Sequence, residues 1–509
     1  MKSLKLLKSG KAVIGTGLCM YLGHTIYQQN GQFNLNDFTL TRVSRAALTI
    51  TRIGFDYKLN LPSSNSPIYG TQEYRDLKKQ AHQRSANKLL NLCQKNGGCY
   101  IKVGQHISAL KDLVPEEYCS TLKLLQNQVP EMNIDDIYKV LKEDLGQDPK
   151  EIFEDFDEKP LGTASLAQVH KAKLKENGDI VAIKVQHKDV KKHSEIDIKT
   201  MDTCVKIIGY VFPQFEFMWL ARETRKNLPE ELDFRIEGRN SEEAANLYSY
   251  FDWLRIPKVY WKWSTSRVLI MEYCNGKPIN NTEYLKENGI SEPDVEEKFR
   301  KLIADMIFKQ GFVHCDPHPG NVLVSKNESS NKTELILLDH GLYRTLENDF
   351  RLTFAQFLLS CETNDLKGME SNAKQFGVDD YKLLASMVTG SSWETKNGRN
   401  RLDKSKKTDL DRKSVSKKAV KHIPGIIKIL EKSDPQFPLI FKTIQLSSLD
   451  REQVARAVMK AIRTEQMKNS FRINCYITDH WDQLCISVKF SKSYIFSLIR
   501  SLCEVTGYL

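Results

Sequence analysis

The chain is 509 residues long, 40% hydrophobic and 27% charged, which excludes a disordered polypeptide and leaves room for one large two-lobed unit with extensions or for two to three domains. Its net charge of +11 points to a nucleic-acid partner only until it is mapped, because Lys396 to Lys421 alone holds eleven Lys/Arg against three acids. The rest of the chain is close to neutral, so residues 391–422 read as a basic linker or loop with anionic lipid as its alternative contact, and no nucleic acid is expected.

Residues 1–35 begin with Lys2, Lys5, Lys8 and Lys11, continue in an apolar run from Ala12 to Tyr27, and meet no acid before Asp37. No small-residue cleavage site follows Tyr27, so a secretory signal fits poorly and a mitochondrial presequence fits better. The run is shorter than the ~20 residues that span a bilayer, which leaves membrane anchoring and a plain amphipathic helix both open.

Residues 36–150 show helical apolar spacing, as in Tyr74 to Leu92 and Glu116 to Leu125, with Pro115 placed as a first-turn residue. Within residues 151–275 the pattern changes to short β-rich runs, Ser165 to Ala172, Ile180 to Gln186 and Arg267 to Glu272, separated by helix-like segments. Residues 276–390 return to helical periodicity at Val295 to Gln310. Two apolar strands follow there, Val322 to Val324 and Leu335 to Leu338, around a polar hairpin. Residues 423–509 read as helical, with apolar pieces such as Phe437 to Phe441 that suit either a core or a membrane contact. The eleven cysteines are scattered and form no Cys-x-x-Cys pair, so they read as reduced thiols rather than zinc ligands.

Phosphoryl transfer needs a cation on the nucleotide phosphates, oxygen ligands for magnesium and a carboxylate that positions the attacking group. Val181-Ala182-Ile183-Lys184 reproduces the strand whose lysine pairs with the α- and β-phosphates. Upstream, Gly162, Thr163, Ala164, Ser165, Ala167 and Val169 overlay a glycine-rich nucleotide loop, with alanine at its second and third glycine positions. Alanine restricts close backbone approach to phosphate, so this loop is expected to be stiffer, with Ser165 as an extra donor. His314-Cys315-Asp316 followed by Asn321 keeps the kinase catalytic-loop spacing. Asp316 would orient the attacking hydroxyl and Asn321 would ligate magnesium. Asp339, ahead of His340 and Gly341, is the second expected magnesium ligand. Leu269 to Tyr273 reads as the strand entering an interlobe hinge, with the backbone at Glu272 and Tyr273 facing adenine.

Three further segments resemble the UbiB/aarF atypical kinase family, and a mitochondrial subgroup of it in particular: Lys102-Val103-Gly104-Gln105, Glu231-Leu232-Asp233, and Glu237. The resemblance runs from about Asn34 to about Asp365. It implies an α+β, atypical two-lobed protein-kinase-like fold, with an N-terminal helical extension over the active site and a C-terminal helical region. It also implies ATP and Mg2+ as cofactors and Glu237 as the partner of Lys184. Lys102 and Gln105 would reach toward Glu231 and Asp233, as a lid where a peptide substrate would otherwise lie. The activity it implies is that of a mitochondrial kinase or ATPase in membrane lipid or quinone homeostasis, with inner-membrane proteins as further partners. A nucleotide-binding scaffold without catalysis is the alternative.

Overall fold

The computed structural model describes residues 39–389, apart from residues 64, 110–113, 127–128, 130, 212–217 and 328–329, together with Gly425, Ile429, Ser433, Gln436, Phe437 and Thr443. The expected targeting segment, the basic stretch 391–422 and all but those six residues of 423–509 lie outside the described residues.

The helical extension starts with α1 (Thr39–Asn60), α2 (Gln72–Asn96), α3 (Gly98–Ala109) and α4 (Glu116–Leu122). Helix α2 opens on Thr71, whose hydroxyl accepts from the Tyr74 amide, and ends at Gly97, whose φ of +66° suits glycine. Pro115 stands at the N-cap of α4, one position earlier than expected, and the helix tightens into a 3-10 turn, Lys123–Gln126. Leu92, Cys93, Tyr100, Ile101, Leu122 and Leu125 form the core of this extension.

Helix α5 (Ile134–Leu145) buries Ile137, Val140 and Leu141 at helical spacing against the outer face of a small sheet. A single turn, α6 (Pro149–Ile152), leads into that sheet, which contains β1 (Phe153–Glu154), β2 (Gly162–Thr163), β3 (Ala167–Leu174) and β4 (Ile180–Gln186). Three helices follow, α7 (Val190–Val211), α8 (Met218–Glu231) and α9 (Phe234–Leu247), so this region holds far more helix than its β-rich runs suggested. After β5 (Leu254–Arg255), strand β6 (Val268–Glu272) completes the antiparallel order β1–β3–β4–β6, with β2 on β3. Its register places Val169 beside Lys184 and Ala182 beside Met271. Strand alternation therefore sets these four side chains on the face opposite α5.

The second lobe runs through β7 (Lys277–Pro278), α10 (Thr282–Glu287) and α11 (Glu292–Asp305), and α11 passes into a π-helical turn, Met306–Gln310. Then come β8 (Phe312–His314), β9 (Val322–Lys326), β10 (Thr333–Leu337) and β11 (Tyr343–Thr345), followed by α12 (Asn348–Thr363), α13 (Leu366–Gln375) and α14 (Tyr381–Thr389). Its core gathers Leu302, Ile307, Phe308, Val322, Leu335 and Phe354. Ile429 and Phe437 belong to that core, and the Phe437 ring lies 6.1 Å from Phe354. These two C-terminal residues therefore pack on the lobe. Among the described residues no helix is long and apolar enough to cross a membrane.

Candidate active site

Lys184 stands where the strand β4, the helix α9 and the loop after β10 converge. Asp233 caps α9 by accepting from the Arg235 amide (3.1 Å), and one turn into the helix Glu237 faces the sheet. Lys184 Nζ donates to Glu237 Oε1 (2.7 Å) and Oε2 (2.8 Å) and to Asp339 Oδ1 (3.2 Å). The ammonium also lies 5.3 Å from the centroid of the Phe234 ring. Burial opposes its charge, but Asp339 and Glu237 outweigh burial and hold Lys184 above the ordinary lysine range. Burial pushes the Glu237 carboxyl up to about 7, with Lys184 pulling the other way. Asp339 ends well below the usual carboxylate range: burial would raise it, and the lysines Lys184 and Lys102 overcome that. Asp339 also holds a φ of +50°, a strained value for a residue with a β-carbon, and such strain concentrates at functional sites.

The loop between β8 and β9 is closed by its own polar groups. His314 Nδ1 accepts from the Asp316 amide (3.0 Å), and the Asn321 Nδ2 group donates to the Asp316 carbonyl (3.1 Å). That bond leaves the Asn321 amide oxygen as its ligating atom. A 3-10 turn, Pro319–Asn321, occupies the space between the two residues, in keeping with the prolines there. His340, where protein kinases have phenylalanine, donates from Nε2 to the Leu337 carbonyl (3.1 Å) and accepts at Nδ1 from the Tyr343 hydroxyl (3.0 Å). Burial pushes this imidazole down to about 3, so it sits neutral and fixed beneath the Asp339 loop.

Helix α3 brings Lys102 onto this centre. Its Nζ pairs with Glu231 Oε2 at 2.6 Å; the Glu231 side chain is buried and that of Lys102 is nearly so, at 14% exposed. Burial opposes the Lys102 charge, while Glu231, Asp316 and Asp339 together hold it above the ordinary range. Burial raises Glu231 against the pull of Lys102, and its Oε1 is a buried atom without a hydrogen-bond partner. Gln105 does not reach Glu231 or Asp233: its Nε2 donates to the Leu125 carbonyl (2.9 Å) and fastens α3 to the turn after α4. Asp233 is likewise committed elsewhere, to the α9 cap and to Arg235 (2.6 Å). Gly104 explains the spacing of the motif. A Cβ there would overlap the Leu125 side chain and lie 3.2 Å from Cys93 Sγ, so glycine lets the two segments close while Lys102 faces the cleft.

The alanine-containing loop is a hairpin turn, closed by a bond from the Ala164 amide to the Ala167 carbonyl (2.8 Å). The His187 ring donates to the Ala164 carbonyl (3.1 Å), and Leu166 packs on Cys99, Leu228 and Leu232. Gly162, Thr163 and Ala164 stay open or half-open, and Val169 shares the Lys184 face. Ser165 is buried in this turn rather than offered as a donor, and Ala167 packs on Phe234 and Leu269. At the hinge, the Glu272 and Tyr273 amides donate inside the lobe, to the Lys258 carbonyl (2.8 Å) and the Ile180 carbonyl (3.1 Å). Neither N–H faces a base in this arrangement.

Arg344, just beyond the Asp339 loop, belongs to none of the motifs visible in the sequence. It donates to Glu230 (2.8 Å) and to Asn227, both on α8, the helix that ends at Glu231. Phe234, under the Lys184 ammonium, was also missed; its one signal was its place between Asp233 and Glu237.

Comparison with known proteins bears on the family of the chain. Residues 124–373 match the ABC1 atypical kinase-like domain. AarF domain-containing protein kinase 1 of Gallus gallus is 42% identical over 448 residues, 88% of this chain and 84% of that protein. AarF domain-containing kinase 1 of Drosophila melanogaster is 41% identical over 464 residues, 91% of this chain and 86% of that one. Among solved structures, the Rv3197–erythromycin complex of Mycobacterium tuberculosis covers 73% of this chain and 98% of its own at 20% identity, with a TM-score of 0.43. On its motifs and on these relatives, the chain belongs to the ABC1/AarF family of atypical kinases.

Proposed function

We propose that this chain is an ATP- and Mg2+-dependent kinase or ATPase that acts in mitochondria on membrane lipid or quinone homeostasis and membrane organisation. The observation that carries the catalytic part is the Lys184 ammonium, bridged to Glu237 and Asp339. That bridge puts a cation and an ionised carboxylate side by side, as the phosphate end of a nucleotide requires. Asp339 and the Asn321 amide oxygen are the hard oxygen donors that suit Mg2+, which keeps several waters and needs few protein ligands. When bound, Mg2+ would neutralise charge on the phosphate oxygens.

The remaining groups belong to the protein. Glu237 holds the Lys184 ammonium in place, and His314 and Asn321 fix the backbone of Asp316 so that its carboxylate can orient an acceptor hydroxyl. Lys102 and α3 cover the centre and keep water from it. This cover disfavours a bulky protein acceptor and favours a small or lipid-linked one. The mitochondrial and membrane parts of the proposal rest on the basic, acid-free leading segment and on the resemblance of the motifs to a mitochondrial subgroup of the family.

The test is ATP turnover by the purified full chain with and without anionic vesicles, beside Asp339→Asn. Turnover should fall by about 100-fold or more in the variant. Turnover equal in both chains would refute the catalytic reading. Full rescue of null cells by Asp339→Asn would support the scaffold alternative instead.

A further inference from the structure

Helix α1 turns toward solvent a face that a solvated helix does not carry. Its exposed residues recur at helical spacing, and four of them are large and apolar: Leu40 (58% exposed), Leu48 (56%), Phe55 (61%) and Leu59 (79%). The other exposed positions of the helix are small or polar, or are the cations Arg52 and Lys58, with no carboxylate among them. The single acid of α1, Asp56, points inward onto Arg84 (2.6 Å) and Lys88. Beside the stripe, α1 and α2 enclose a groove of about 110 Å³ whose charged lining is Arg45, Arg52 and Lys95. Arg45 is held there by the Lys95 carbonyl (3.2 Å) and Asn96 Oδ1 (2.7 Å).

We infer that this face docks onto an anionic lipid surface, with Leu48, Phe55 and Leu59 entering the acyl boundary and Arg52, Lys58 and Lys95 meeting the headgroups. An apolar stripe rimmed by cations is the pattern of a helix lying in the plane of a membrane interface. Charge decides between occupants. A second copy of the same face would set cation against cation. The chain's own first 36 residues, which lead directly into α1, carry four lysines and no acid, so they are repelled as well. An anionic bilayer attracts both the face and the segment that precedes it. The inference rests on the membrane part of the proposed function and is independent of whether nucleotide turns over.

The test uses the full-length chain with p-benzoylphenylalanine in place of Phe55 or, as a control, in place of Tyr250, which is exposed on the second lobe (47%). Each form is illuminated with phosphatidylcholine vesicles made with or without phosphatidylserine. A phospholipid adduct should form at position 55, about tenfold above position 250 and above the phosphatidylcholine control, and Arg52→Glu with Lys58→Glu should cut it about tenfold. No lipid adduct at 55, equal adducts at both positions, or a crosslink from 55 to residues 1–36 or to another polypeptide would overturn the inference. ATP turnover without vesicles should be the same for Arg52→Glu/Lys58→Glu and the unmodified chain. A chain that turns over ATP but gives no adduct refutes only the docking face, and one that gives the adduct without turnover refutes only the catalytic reading.

Discussion

Between the lobes the chain buries charge, and on the outer face of α1 it exposes apolar surface; each region reverses the usual partition of residues. In the cleft, Glu237 and Glu231 are buried, Lys184 and Lys102 are nearly so, and each is matched by an opposite charge. On α1 the side chains that would normally form a core face outward, while Arg42 and Asp56 face inward. Arg42 Nε donates to Asp197 Oδ1 (3.0 Å), and Asp56 is held by Arg84 and Lys88. Buried charge survives only when paired, so the cleft should be fragile to the loss of one partner. Exposed apolar surface contributes little to folding, so α1 should tolerate change in solution and fail only at a surface.

The largest effect should come from Lys102→Met, which strands Glu231 in the interior. We expect a loss of about 3–5 kcal/mol in unfolding free energy by denaturant titration, with most of it recovered in the double variant Lys102→Met/Glu231→Leu. Strict additivity of the two changes would break the pairing account. Burial already raises the Glu231 carboxyl, so the single variant should lose less at acidic pH, where a proton replaces the missing ammonium.

Gly104→Ala should cost about 1–3 kcal/mol, because the Leu125 side chain has to move before α3 can close on the turn after α4. An alanine variant as stable as the original would show that this close packing does not hold the lid. A smaller effect, confined to acid, is expected from His340. Its imidazole takes a proton at 6.5 in the unfolded chain but only at about 3 when buried. Below 6.5 the unfolded state therefore binds a proton that the folded state refuses, and stability is lost as pH falls, by about 2 kcal/mol at about pH 5. His340→Phe should remove that share of the acid sensitivity while leaving the stability difference between neutral and alkaline pH unchanged. A slope identical to that of the parent chain between neutral pH and about pH 5 would count against it. The smallest effect should be that of Phe55→Asp with Leu59→Asp on α1: within about 0.5 kcal/mol in solution. A loss of several kcal/mol there would mean that the stripe is part of a core.

Lys184, Asp316, Asn321 and Asp339 were legible in the sequence because each sits on a strand end or a tight turn whose own backbone sets the spacing. The His314 ring and the Asn321 amide both bond within the same eight-residue loop, so little outside it is needed to place them. The partners of Gln105 and Asp233 were not legible. Gln105 meets Leu125 only because Gly104 allows two segments to close, and Asp233 is taken by the cap of the helix that carries Glu237. Arg344 gave no local signal, since its partners on α8 lie more than a hundred residues away in the chain. Helices α7 to α9 were underestimated because the β-rich runs around them dominate the local pattern. On α1, a hydrophobic pattern alone would bury Leu48 and Phe55. The pairing of Arg42 with Asp197 and of Asp56 with Arg84, which turns the helix over, is visible only in three dimensions.

The most direct test of the catalytic centre is the affinity of the full chain for ATP, measured by titration calorimetry with and without Mg2+, for the parent and for Asp339→Asn. Mg2+ should strengthen binding to the parent by about tenfold or more and leave the variant unchanged. An equal Mg2+ effect in both chains would contradict the assignment of Asp339 as a metal ligand, and with it the reading of this cleft as a phosphoryl-transfer site.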